Sequence, residues 1–166
     1  MCQLPIKAII SFGAIIMDTI TEEFIWSSLK SLYKKNNKDF MGTGIIFYTD
    51  LSNLPFISLN KNTDEDFLLN KNFIELIYRL SLKQSPYHDG FHFFNMNLMT
   101  LTHISQYLAP VIEINDTSVL DAIRPCGARE MTAYLTSLTK GIVSVGLVSH
   151  IDGIKVYRNG NCIGES

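Results

Sequence analysis

The apolar positions of this chain fall into blocks whose period switches between that of a helix and that of a strand. Ile6 to Met17 (IKAIISFGAIIM) is an isoleucine-rich run broken by Gly13, and it predicts a core strand. From Thr21 the period changes: Phe24, Ile25, Leu29 and Leu32 recur at helical spacing. Glu22 and Glu23 stand early in that segment, and Lys30, Lys34 and Lys35 late, the order a helix dipole favours. Asn36 to Asp39 ends the helix. GTGIIFYTD (42–50) predicts a buried strand followed by a turn, and LPFISLN (54–60) a second, shorter one. Between Asp64 and Leu82 the positions Phe67, Leu68, Phe73, Ile74, Ile77 and Leu80 predict one or two helices, with a break at Asn70 to Asn72. FHFF and LMTLTHISQYL read as extended, and LAPVIEI leads to a turn at Asn115-Asp116. Arg124-Pro125-Cys126-Gly127 precedes AREMTAYLTSLTK, which predicts a helix. GIVSVGLVSH and GIKVYRNG predict a hairpin closed around Ile151-Asp152-Gly153.

Helices alternating with strands in this way predict an α/β fold, a mixed central β-sheet flanked by helices on both faces. The 166 residues, 46% of them hydrophobic, suffice for one domain spanning 1–166 that buries roughly two-thirds of its unfolded surface.

Charge and cysteine content narrow the partners. A net charge of -2 without any basic run argues against duplex nucleic acid, while a small phosphorylated ligand needs only a few donors. Cys2, Cys126 and Cys162 have no paired spacing, which fits a reducing, cytoplasmic setting. The apolar run Ala8 to Met17 is about half of what a membrane-spanning helix needs, and no small-residue cleavage site follows it.

Two stretches carry candidate chemistry. In SPYHDGFHFFN (85–95), His88 and His92 flank Asp89 at the four-residue spacing that a zinc hydrolase places on one helical turn. Gly90 and the aromatic tail oppose a helix there, and on a strand the two imidazoles stand roughly 13 Å apart. Asp89-Gly90 at the mouth of a strand suits either a turn without a ligand or a carboxylate that holds a cation or hydroxyl. In RPCGAREMT (124–132), Gly127 before a helix start lets backbone N–H groups face an anion, with Arg129 adding charge-assisted bonds. An ordinary loop-to-helix junction with a solvated arginine fits the same residues.

Together these stretches resemble the diadenylate cyclase (DAC) domain family. SPYHDGFHFF is similar to that family's P-L-H-D-G-A stretch. About 35 residues on, GAREMTAYLTSLTKGIVSVGLVSHIDGIKVYRNG is similar to its G-T-R-H-R-A-A helix and closing hairpin. The resemblance spans Phe24 to Gly160. It implies a reaction that joins two ATP into cyclic di-AMP with release of pyrophosphate, between two facing subunits and with a magnesium or manganese ion. It implies that Asp89 and Gly90 sit against the ribose and the metal, with Asp89 as metal ligand and catalytic residue of an active enzyme. Gly127 and Arg129 then hold the phosphates, and Ser149 and His150 line the far side.

The departures from the family pattern bear on turnover. Arg129-Glu130-Met131 stands in place of R-H-R, and Ser149-His150-Ile151 in place of Ser-Glu-Glu, so phosphate donors and a metal carboxylate are missing. Phe91 replaces the alanine after Asp-Gly. Phosphoryl transfer depends on positioning and charge neutralisation, so these losses cost chemistry more than binding. The expectation is a DAC-like domain that senses or sequesters an adenine nucleotide or cyclic dinucleotide, as a homo-oligomer whose output lies in a separate effector protein. The alternatives are an active diadenylate cyclase in which His88, His92 or His150 substitutes for the missing groups, and a ligand-free interaction domain whose pocket is filled by Tyr87, Phe91, Phe93 and Met131.

Overall fold

The computed structural model describes residues 6–60, 72–111 and 127–165. Among them the fold is α/β, with a seven-stranded mixed sheet and three helices. In chain order the elements are α1 (Ile6–Tyr33), β1 (Thr43–Tyr48), β2 (Phe56–Ser58), α2 (Phe73–Leu80), β3 (Phe91–Asn95), β4 (Thr100–Leu108), α3 (Ala128–Ser137), β5 (Ile142–Ser149), β6 (Gly153–Arg158) and β7 (Asn161–Glu165). The strands lie in the order β2-β4-β3-β1-β5-β6-β7. Only β1 and β3 pair in parallel, with Gly44 opposite Phe91 and Tyr48 opposite Asn95; every other neighbour is antiparallel.

β1 sits at the centre, and all six of its residues are buried, as expected of a strand covered on both faces. Alternation along it divides the core. Ile45 and Phe47 pack with Ile25, Leu29 and Leu32 of α1 and Leu76, Ile77 and Leu80 of α2. Ile46 and Tyr48 pack on the opposite face with Val145, Leu147 and Ala133 of α3. Gly146 of β5 makes room for α1, since a Cβ there would stand 2.7 Å from Leu29.

One expectation fails. Ile6–Met17 is not a strand but the first part of a 28-residue helix, so the helical segment expected from Thr21 is only the second half of α1. The reason is local continuity: no proline or turn pair separates Met17 from Thr21, and Gly13 inside a helix costs only about 1 kcal/mol. A helix also satisfies its own backbone, whereas a strand needs a ladder partner. Short strand β7 was not anticipated. The strands expected at 42–50, 54–60 and after Gly90, the helix after Gly127 and the β5–β6 hairpin are all present. Of the segment 64–82, α2 forms the last part, with Asn72 Oδ1 accepting from the Glu75 N–H as its N-cap. Asp64 to Asn70, the turn at Asn115-Asp116 and Arg124 to Cys126 lie outside the described residues.

Candidate functional site

The N-terminus of α3 stands over one end of the sheet, where β1 begins, β5 ends and β6 begins. Between them is a cleft of about 370 Å³, lined by Gly127 just before α3, by Arg129 and Glu130 of α3, by Gly42 and Thr43, by Ser149 and Asp152 at the hairpin turn, and by Lys155 of β6, among others. That volume is within the range of small-molecule sites.

Arg129 dominates the cleft. Its side chain is largely removed from water, and burial lowers its pKa below the usual guanidinium value while the charge of Asp89 acts the other way. A guanidinium stays protonated under these conditions, so this is a charge held in a partly dry place. Among the described residues no hydrogen bond or ion pair reaches it. Gly42, at φ 79°, borders it: a Cβ on that residue would clash with the Val148 carbonyl at 2.9 Å and stand in ordinary contact with Arg129 Nη1 at 3.4 Å. Gly127 is the N-cap of α3 and supplies no side-chain cap, so the first-turn N–H groups lack an acceptor within the helix.

Glu130 faces the same cleft but is already engaged. One carboxylate oxygen accepts from Lys155 Nζ at 3.1 Å and from the Tyr157 hydroxyl. The Tyr157 bond first, and then Lys155, hold its pKa below the usual carboxylate value. Asp152 was not anticipated. Its carboxylate accepts from Ser149 Oγ at 3.1 Å, and Ser149 Oγ in turn accepts from the Ile151 and Asp152 N–H groups, closing the hairpin turn. Thus an acid does line the cleft at the hairpin, one residue beyond the Ser149-His150-Ile151 triplet.

The other expected site residues are placed differently. His150 does not line the cleft; its Nδ1 is bonded to Asn36 Oδ1 at 2.8 Å, beyond the end of α1. Asp89 and Gly90 also stand outside the lining, in the turn before β3, with Asp89 coupled to Arg129 only through its charge. The Asp89 carboxylate is 72% exposed and 3.7 Å from His88 Nε2. Its backbone is clamped: the Asp89 carbonyl accepts from Ser105 Oγ at 2.9 Å, and Ser105 has φ 52° in a bulged part of β4. Gly90, at φ 82°, has no room for a side chain, since a Cβ would meet the Gln106 carbonyl at 2.6 Å. Gly90 is a steric necessity of this strand mouth.

The histidine pair does not form a metal centre. His88 Nδ1–H donates to the Ser85 carbonyl at 2.6 Å, and His92 is wholly buried in β3. Among the described residues no group of three or more His, Cys, Asp or Glu is poised around a common point. Phe91 and Phe93 belong to the core under α3 and do not fill the cleft, and Tyr87 packs with the core on the α1 face. No helix among the described residues is long and apolar enough to cross a membrane.

Sequence reasoning missed Gly42, Asp152, Lys155 and Ser105. Lys155 was legible in principle, because period-two alternation in GIKVYR places Lys155 and Tyr157 on one face of β6. Ser105 carries no such signal, since a positive φ at a serine is set by the bulge. Compared with known proteins, the chain matches no family model and finds no match among curated proteins.

Proposed function

We propose that this chain is a DAC-like nucleotide-binding domain whose cleft at the start of α3 takes the phosphate of an adenine nucleotide or a cyclic dinucleotide and holds it without turnover. The observation that carries the reading is Arg129: a partly buried guanidinium that no hydrogen bond or ion pair among the described residues reaches, with only the more distant charge of Asp89 acting on it, beside the uncapped N-terminus of a ten-residue helix. A buried charge of this kind is costly unless an anion meets it. Binding without turnover is preferred because none of His88, His92 and His150, the groups that could replace the missing donors, lines the cleft. If an ion takes part, magnesium or manganese bound mainly through ligand phosphates needs only one or two carboxylates. Asp152, in the cleft, and Asp89, at its approach, are the residues to supply them. The cleft belongs to one subunit, and a dinucleotide is enclosed when a second copy faces it.

The test is calorimetric titration of the full chain with ATP, AMP and cyclic di-AMP, beside mass spectrometry of an incubation with ATP and either magnesium or manganese. Arg129→Ala is expected to weaken binding by about 1.5–3 kcal/mol, the worth of a charge-assisted hydrogen bond. Unchanged affinity in that variant overturns the placement. Formation of a cyclic dinucleotide that depends on Asp89 replaces the binder with an active cyclase.

A further inference from the structure

Glu130 puts a fixed negative charge in the same cleft as Arg129. Its carboxylate cannot swing out of the cleft without giving up both Lys155 and Tyr157, and the Glu130 and Lys155 side chains are only 30% and 23% exposed. A charge held this way is screened by salt less than a solvated one. Among the described lining residues, Arg129 and Lys155 are balanced by Glu130 and Asp152, so the cleft carries a guanidinium but no net positive charge. One phosphate can meet Arg129 and the first-turn N–H groups of α3. Each further ionised phosphate in the cleft shares it with the carboxylates of Glu130 and Asp152, and like charges a few ångströms apart repel.

We propose that Glu130 is a specificity-determining residue that limits this cleft to anions of low charge, a phosphomonoester or phosphodiester, and turns away di- and triphosphate chains. The proposal rests on the reading of the cleft as a phosphate site, and it names the ligand class that reading leaves open. Glu130 also excludes polyphosphate by occupying Lys155, but the charge argument holds whatever else Lys155 touches.

The experiment is titration calorimetry of the full chain in metal-free buffer with AMP, ADP and ATP, and with inorganic phosphate and tripolyphosphate as adenine-free probes. The native chain should bind AMP at least as tightly as ATP. Glu130→Gln keeps an acceptor for Tyr157 and raises the charge of the cleft by one. It should raise the ATP-to-AMP affinity ratio about tenfold or more, and the tripolyphosphate-to-phosphate ratio likewise. Lys155→Gln should move both ratios the other way. Glu22→Gln, on the exposed side of α1, should leave them where they are; a loss of packing alone would weaken all ligands together. Ratios that stay within twofold in both cleft variants, or that Glu22→Gln shifts equally, overturn the proposal. If the inorganic probes respond as expected but nucleotides bind no better than they do, the charge selection stands and the nucleotide reading falls. Failure of every probe to bind both the native chain and Glu130→Gln overturns both.

Discussion

His92 shows how much one buried side chain can carry. Its Nδ1 accepts the Ser105 N–H at 3.2 Å, so the proton sits on Nε2, which has no hydrogen-bond partner. Burial first, and then the positive charge of Arg129, push its pKa down to about 3. A histidine that resists protonation when folded but accepts a proton near pH 6.5 when unfolded penalises the fold as pH falls. Its full stability is therefore present above about pH 6.5 and is lost progressively toward pH 3. Between pH 7 and pH 5 the expected loss is about 2 kcal/mol, readable by urea denaturation at the two pH values. His103, whose pKa burial also lowers, adds to the slope in the same direction. His92→Leu is expected to be less stable at pH 7, from the lost bond to Ser105, yet less sensitive to pH. An unchanged slope in that variant assigns the titration elsewhere. At this scale the sequence was only partly legible. The Asp89-Gly90 pair could be picked out as a strand mouth, but the clamp that holds it, Ser105, is 16 residues away and owes its role to a bulge.

At the scale of elements, α1 is both the clearest failure of local pattern and the helix on which one face of the sheet depends. Ile25, Leu29 and Leu32 are buried at helical spacing, as their periodicity indicated. Ile6 to Met17 has no such stripe to read, because a run of apolar residues fits a buried strand and a helix equally. Leu29 is fully buried against Gly146, so Leu29→Ala is expected to cost about 2–5 kcal/mol in chemical denaturation. Ile20→Ala, at a position 57% exposed on the same helix, should change stability by less than about 0.5 kcal/mol. Equal effects of the two substitutions contradict the packing of α1 against β5. Helix α3 and the β5–β6 hairpin were legible because turn residues at Gly127 and Asp152-Gly153 bound them and their internal periods are unambiguous.

For the whole molecule, the last strands meet the first helix. Gly164 of β7 lies against the Trp26 ring of α1, where a Cβ would be 2.6 Å from the indole, and Arg158 pairs with Asp18 at 3.1 Å. Strand β7 thereby covers the edge of β6, which would otherwise present unpaired N–H and C=O groups. A chain ending at Asn159 is expected to melt at lower temperature, to show red-shifted emission from its single tryptophan and to self-associate at the bared β6 edge. Fluorescence reads the first two effects and light scattering the third, and native-like emission from the truncated chain removes β7 from this role.

What the sequence determined by itself is the set of elements whose signal is local: the buried strand at 43–48, the helix after Gly127, the closing hairpin and the α/β class they imply together. Only the tertiary structure decided which side chains share a site. Arg129 and Glu130 of α3, Asp152 of the β5–β6 turn and Lys155 of β6 meet because β1 and β6 flank β5 beneath the start of α3, while His150, equally near in sequence, turns toward Asn36. Period and turn chemistry are properties of a few consecutive residues. The partner of a charge is set by strand order and register, which depend on contacts across the whole fold.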